Sequence, residues 1–198
     1  MKQIVIFLGY SGSGKTTALT GVARELTRRR AGSVGTLKHI HDPDFTIDTK
    51  GKDTWLHSTS GATLVVALAE KEMSVIKRGA GMGKITIDKI LEIYRREKID
   101  YVLIEGLYRR FSASGRKKGV VAVLCASTTQ EVDELLARHR GLRILCITGP
   151  VADAKALGKG GYRGIPVLAL PRGTKKIVDL ITIRPRLAKQ KTNIGVRT

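Results

Sequence analysis

The chain is short of the residues that staple or decorate small specialised domains. It has two cysteines, one tryptophan and five prolines in 198 residues, and aromatics make up only 5%. Two cysteines exclude a disulfide framework. Cys125 and Cys146 each lie inside an apolar run and read as buried thiols in a reducing cytosol. So few aromatics leave little on which to stack bases, and no zinc-finger spacing, RNP-like strand or basic leucine zipper occurs. No apolar run approaches the roughly 18 residues of a membrane span. The opening MKQIVIFLGYSGSGK passes from a short apolar stretch directly into glycines, without the length or small-residue cleavage site of a signal peptide. A cytoplasmic protein with no membrane contact is the expectation.

Acidic residues are scarce as well. Asp plus Glu is 17 against 36 Lys plus Arg, a formal net charge of +19. The excess invites a nucleic-acid reading, yet the charge is spread along the chain. It is densest at 109–118, 138–143 and 184–197. Spread charge serves anionic small molecules or an acidic protein partner equally well, and nucleic acid is the weaker expectation. A hydrophobic content of 42% describes a globular chain whose length suits one domain.

What is present alternates in period. Lys2 to Leu8 is a β-branched apolar run and predicts a buried parallel strand. Lys15 to Arg30 predicts a helix, with Leu19, Val22, Ala23 and Leu26 on one face. Further strands are expected at 33–38, 62–69, 73–77, 101–104, 120–125, 143–148 and 167–170. Further helices are expected at 55–60, 85–98, 129–139 and 175–183, the third capped by Ser127 or Thr128. Such alternation predicts an α/β fold with a mostly parallel central sheet covered on both faces. Residues 1–183 form a single nucleotide-binding domain in this reading, and 184–198 a loose basic tail.

Gly9-Tyr10-Ser11-Gly12-Ser13-Gly14-Lys15-Thr16 fits G-x-x-x-x-G-K-[ST] between a predicted strand and a predicted helix, the setting that a phosphate-binding loop requires. Glycines let the backbone approach an anion, and successive N–H groups and the helix N-terminus point at its phosphates. Gly9, Ser11, Gly12, Ser13, Gly14, Lys15, Thr16 and Thr17 are therefore candidate nucleotide-binding residues. Lys15 would serve the β- and γ-phosphates, and the Thr16 hydroxyl is a candidate magnesium ligand.

Such a site also needs an acid at the end of a neighbouring strand. Glu105 ends the run Tyr101 to Ile104 and precedes Gly106, so it is a candidate metal ligand and catalytic residue. A second source is the loop from Lys38 to Thr54, dense in His, Asp and Lys. There Asp48 or Asp53 is a candidate for holding magnesium or a water, and Lys52 for contacting phosphate. His39, His41 and a carboxylate would offer zinc three ligands, but no Cys pair or H-E-x-x-H pattern supports that metal. Arg109 and Arg110, with Arg116, Lys117 and Lys118, follow Glu105 and are candidates for binding a cofactor phosphate or an acidic partner.

Taken in order, the loop Gly9 to Thr17, Lys38-His39-x-His41, Asp48-x-x-Gly51-Lys52-Asp53-Thr54-Trp55, Gly61-Ala62 and Ile104-Glu105-Gly106 resemble the molybdopterin-guanine dinucleotide biosynthesis protein B (MobB) family. The resemblance covers roughly residues 1 to 110. It implies a three-layer P-loop NTPase fold, GTP binding with Mg2+, weak GTP hydrolysis and a homodimer. It further implies molybdopterin as a ligand and, as partner, the molybdenum cofactor guanylyltransferase that attaches GMP to molybdopterin. Two features depart from the pattern. Asp42 stands where family members often carry a further histidine, and no [NT]-K-x-D guanine-reading motif is present. The nearest analogue is Thr148 to Asp153, with the wrong spacing. Two other readings remain at this stage: a small-molecule kinase with Asp48 or Asp53 as base, and an ATPase stimulated by nucleic acid.

Overall fold

The computed structural model describes residues 1–42, 44–79, 82, 85–106, 119–154, 157 and 161–183. Arg109, Arg110, Arg116, Lys117, Lys118 and the basic tail lie outside the described residues. Five parallel strands make the main sheet: β1 (Gln3–Leu8), β2 (Val34–Lys38), β5 (Tyr101–Glu105), β6 (Val120–Cys125) and β7 (Arg143–Thr148), in the order β2-β5-β1-β6-β7. The central strand pairs on both sides, Phe7 opposite Glu105 on β5 and opposite Val123 on β6. A strand flanked this way must be apolar on both faces, which is why the expected run QIVIFL carries no alternation.

Alternate residues of β1 face different helices. Val5 and Phe7 pack with α1 (Lys15–Arg28), through Ala18, Leu19, Val22 and Leu26, and with α6 (Thr174–Thr182), through Ile177, Val178 and Ile181. Ile4, Ile6 and Leu8 pack with Ile87 and Leu91 of α3 (Ile87–Arg96). Further along that face, Val132 and Leu135 of α4 (Thr129–Arg138) cover Leu124 and Ile147. The result is three layers with the expected helices in place. Thr128 is the cap of α4: its hydroxyl accepts from the Glu131 N–H at 3.2 Å, and Glu131 Oε2 accepts from the Ser127 N–H at 2.7 Å. This reciprocal pair satisfies donors that the first helical turn leaves free.

The two helices of one layer are also tied by charge. Glu25 on α1 accepts from Arg28 and from Arg29 (2.7 Å), and Arg29 reaches Asp179 on α6 at 2.6 Å. Bonding to the Arg28 and then the Arg29 guanidinium lowers the Glu25 carboxyl to about 2. A folded-state value below the unfolded one means that the stabilisation is complete above the ordinary carboxylate range and lost as pH falls towards about 2. Glu25→Gln is therefore expected to flatten the acid limb of a thermal-stability profile between those values. A limb identical to the parent's would place the acid sensitivity elsewhere.

Three elements differ from expectation. The run 62–69 and its neighbour leave the main sheet: β3 (Leu64–Leu68) and β4 (Met73–Lys77) form a separate antiparallel hairpin, against which α2 (Asp53–Thr59) rests. Val65 on one face is buried, whereas Leu64, Val66, Leu68, Met73 and Val75 share the other and are all more than half exposed. The expected strand at 167–170 contributes a single bridge, Ile147 to Val167. Pro166 and Pro171 bracket it, and proline has no N–H to extend a ladder. Pro150, just after β7, starts a short helix that the expected elements do not include, α5 (Pro150–Asp153). Among the described residues no helix is long and apolar enough to cross a membrane.

Candidate functional site

The carboxyl ends of β1, β2 and β5 open onto one cavity of about 830 Å3. It is lined by the loop Gly9 to Thr17 except Ser13, by Lys38 to Asp42, and by Phe7, Glu105 and Gly106. Its size suits a nucleotide-scale ligand.

The loop holds its shape through close packing. A Cβ on Gly9 would lie 2.3 Å from both the Cys125 carbonyl oxygen and Ser13 Oγ. Gly14, at φ 84°, is the left-handed residue ahead of α1, and the Gly14 carbonyl accepts from Ala18 N–H at 2.9 Å. The Tyr10 hydroxyl donates to Glu134 Oε2 at 2.8 Å, which anchors the loop to α4 and raises the tyrosine's pKa. Ser13 is fully buried beneath the loop, and its Oγ has no hydrogen-bond partner among the described residues. Its side chain therefore serves the underside of the loop, while its neighbours line the cavity.

Three side chains meet at the far end. Thr16 Oγ1 donates to both carboxylate oxygens of Glu105, at 3.1 and 3.0 Å, and the Lys38 ammonium pairs with Glu105 Oε1. Glu105 is buried. Lys38 and Glu105 are register partners across β2 and β5, so their side chains leave the sheet on the same face. Lys15 Nζ donates to the Tyr10 carbonyl. A hydroxyl and a carboxylate at the end of the loop are the hard oxygen donors that magnesium prefers, and the glycine cradle with Lys15 supplies donors for phosphates. These residues fit a magnesium–nucleotide.

The other acidic candidates sit elsewhere. Asp48 is nearly buried, accepting from the Thr54 hydroxyl at 2.7 Å and from Arg78 Nη2 at 3.0 Å. Its carboxylate fastens the long loop to α2 and to the end of β4. Lys52 caps α2 and Asp53 opens it. None of the three lines the cavity. Asp153 is exposed on α5 and is likewise outside the lining. Among the described residues no group of three or more His, Cys, Asp or Glu is placed to hold a metal on its own. Cys125 and Cys146 are buried, and burial pushes both thiols up to about 12, away from the thiolate form.

Residues 4–132 match the family model described as molybdopterin guanine dinucleotide synthesis protein B, MobB. The chain belongs to the MobB family. A molybdopterin-guanine dinucleotide biosynthesis adapter protein of Haemophilus influenzae is 32% identical over 98 residues, 50% of this chain and 53% of that protein. The chain thus spans about half the length of that relative. A probable adapter protein of the same description from Bacillus subtilis is 25% identical over 163 residues, 75% of this chain and 88% of that one. In structure, Bacillus subtilis MobB superposes with a TM-score of 0.67 at 19% identity, covering 92% of this chain and 98% of that chain. A MobB homologue from Bacillus stearothermophilus gives 0.61 at 18%, covering 93% and 100%. Identities of this size speak for the fold alone, and the fold they give is the α/β architecture described above.

In this MobB-family chain one contact lay beyond sequence reasoning, and another carried a signal that the sequence shows. Lys38 was assigned no role, because only the β2–β5 register brings it to Glu105. The imidazoles of His39 and His41 meet edge to face at the cavity mouth, with Nδ1 and Nε2 3.3 Å apart. Their i, i+2 spacing was a visible signal, since on an extended segment it puts two side chains on one side.

Proposed function

We propose that the protein is a GTP-binding accessory factor in molybdopterin guanine dinucleotide biosynthesis, with slow magnesium-dependent GTP hydrolysis. The observation that carries this reading is the contact of Thr16 with Glu105 beside Lys15, at the end of a glycine loop, in a chain of the MobB family. Gly9 to Thr17 would cradle the phosphates, and Thr16 and Glu105 would hold magnesium. When bound, the metal would neutralise charge on the β- and γ-phosphates. Guanine is the base named in the family's product, and it is the preference we assign.

The working unit in this proposal is a homodimer that serves the guanylyltransferase and carries or receives molybdopterin. The exposed apolar face of the β3–β4 hairpin supports self-association, since five large apolar side chains side by side are costly to leave in water. The cytoplasm is the compartment where such partners would be met.

A calorimetric titration of the full chain with GTP, ATP and GDP in the presence of magnesium tests the reading, with GTP expected to bind tightest. Glu105→Gln is expected to slow magnesium-dependent hydrolysis by roughly ten- to a hundredfold while leaving nucleotide affinity within a few-fold, since a neutral amide is a poor magnesium ligand. Preference for ATP would overturn the guanine assignment. Unchanged turnover would remove Glu105 from the metal.

A further inference from the structure

The nucleotide reading leaves one charged contact unused. Glu105 is buried, and a buried carboxylate is costly unless a cation or several donors meet it. Thr16 supplies one hydroxyl donor, shared between the two oxygens, and Lys38 the cation. The Lys38 side chain is itself 55% exposed, so its ammonium is tied at one end only and its four-carbon stem can turn.

We propose that Lys38 senses the γ-phosphate: it neutralises Glu105 until magnesium does so, and then turns to the terminal phosphate of a nucleoside triphosphate. This inference rests on the nucleotide reading above and names a specificity-determining residue within that site. Its logic is charge balance. Thr16 and Glu105 would hold a doubly charged metal beside the carboxylate that the Lys38 ammonium now pairs with, and like charges repel. The nearest new anion is the end of the polyphosphate. The loop amides and Lys15 would hold the inner phosphates, and Thr16 and Glu105 would hold the metal that neutralises the polyphosphate's end, which would put the terminal phosphate toward the Glu105 side of the loop. Lys38 is on that side by register, being paired with Glu105 across adjacent strands. No arginine is among the described residues lining the cavity, and its lysines are Lys15 and Lys38. Lys52, the sequence's other candidate for a phosphate, caps α2 outside the lining. A diphosphate offers Lys38 nothing to reach, so the residue separates triphosphate from diphosphate.

The test is a comparison of affinities by calorimetry with magnesium present, using GDP and a non-hydrolysable β,γ-imido analogue of GTP. Lys38→Met is expected to weaken analogue binding ten- to a hundredfold, roughly one or two charge-assisted contacts, and to leave GDP within about threefold. Lys38→Arg, which keeps charge and reach, is expected to recover most of the loss. Should Lys38→Met fold poorly with Glu105 left uncompensated, Lys38→Gln keeps a donor to the carboxylate without the charge and is expected to give the same split. A merely structural lysine would weaken both ligands together. Equal loss for both, or no loss for either, overturns the proposal while the nucleotide reading stands. A parent protein that binds neither ligand overturns the nucleotide reading and this proposal with it.

Discussion

Gly9→Ala is expected to lower thermal stability by about 2–12 °C and to abolish nucleotide binding. The added methyl would stand 2.3 Å from the Cys125 carbonyl oxygen and from Ser13 Oγ. The first belongs to β6, which is held by β1 on one side and β7 on the other, so it cannot retreat. Ser13 is fully buried beneath the loop, so its hydroxyl cannot swing out to solvent. The loop itself must therefore lift. Overpacking of this kind costs about 1–3 kcal/mol, and each kcal/mol is about 2–4 °C in a chain of this size. A lifted loop no longer aims its amides at one point, so binding falls by more than the stability does. Differential scanning calorimetry alongside a nucleotide titration checks both halves. Binding that survived intact would mean the close approach at Gly9 is not what shapes the loop.

Lys15→Ala should do the opposite, sparing the fold and destroying affinity. Among the described residues its ammonium donates to the carbonyl of Tyr10, a residue of the cavity lining whose carbonyl can bond to water instead. Toward a triphosphate the same ammonium would make charge-assisted contacts with the β- and γ-phosphates, each worth about 1.5–3 kcal/mol. The loss of two amounts to a weakening on the order of a hundred- to ten-thousandfold. The melting temperature is expected to move by no more than a degree or two, as for most surface substitutions. Calorimetry with GTP and magnesium reads the first effect and a thermal melt the second. Equal binding by variant and parent would remove the assignment of this loop to phosphate.

Much of the architecture was legible because its causes are local. An unbroken apolar run predicts a strand covered on both faces, and β1 is one. A glycine loop between strand and helix predicts the phosphate cradle, and Glu105 at the end of an apolar strand predicts an acid beside it. The cavity lining brings Thr16 and Glu105 together as expected. What could not be read depends on partners distant in sequence. Asp48 looked like a site residue because it stands in a polar loop at the right edge of the sheet. Arg78, 30 residues on, takes its carboxylate instead. The pairing of Lys38 with Glu105 spans 67 residues and depends on a strand register that no local pattern encodes. The hairpin was read as two adjacent strands. That it stands apart from the main sheet follows from tertiary placement, which period-two patterning does not report.

The β2–β5 rung that aligns Lys38 with Glu105 makes the electrostatics of the site hostage to a ladder of backbone bonds. Side chains alternate along a strand, so sliding β2 by one residue would aim Leu37 at the carboxylate and send Lys38 to the α3 side. A one-residue insertion anywhere between Val34 and Lys38 could thus disarm the pocket while the molecule still melts cooperatively.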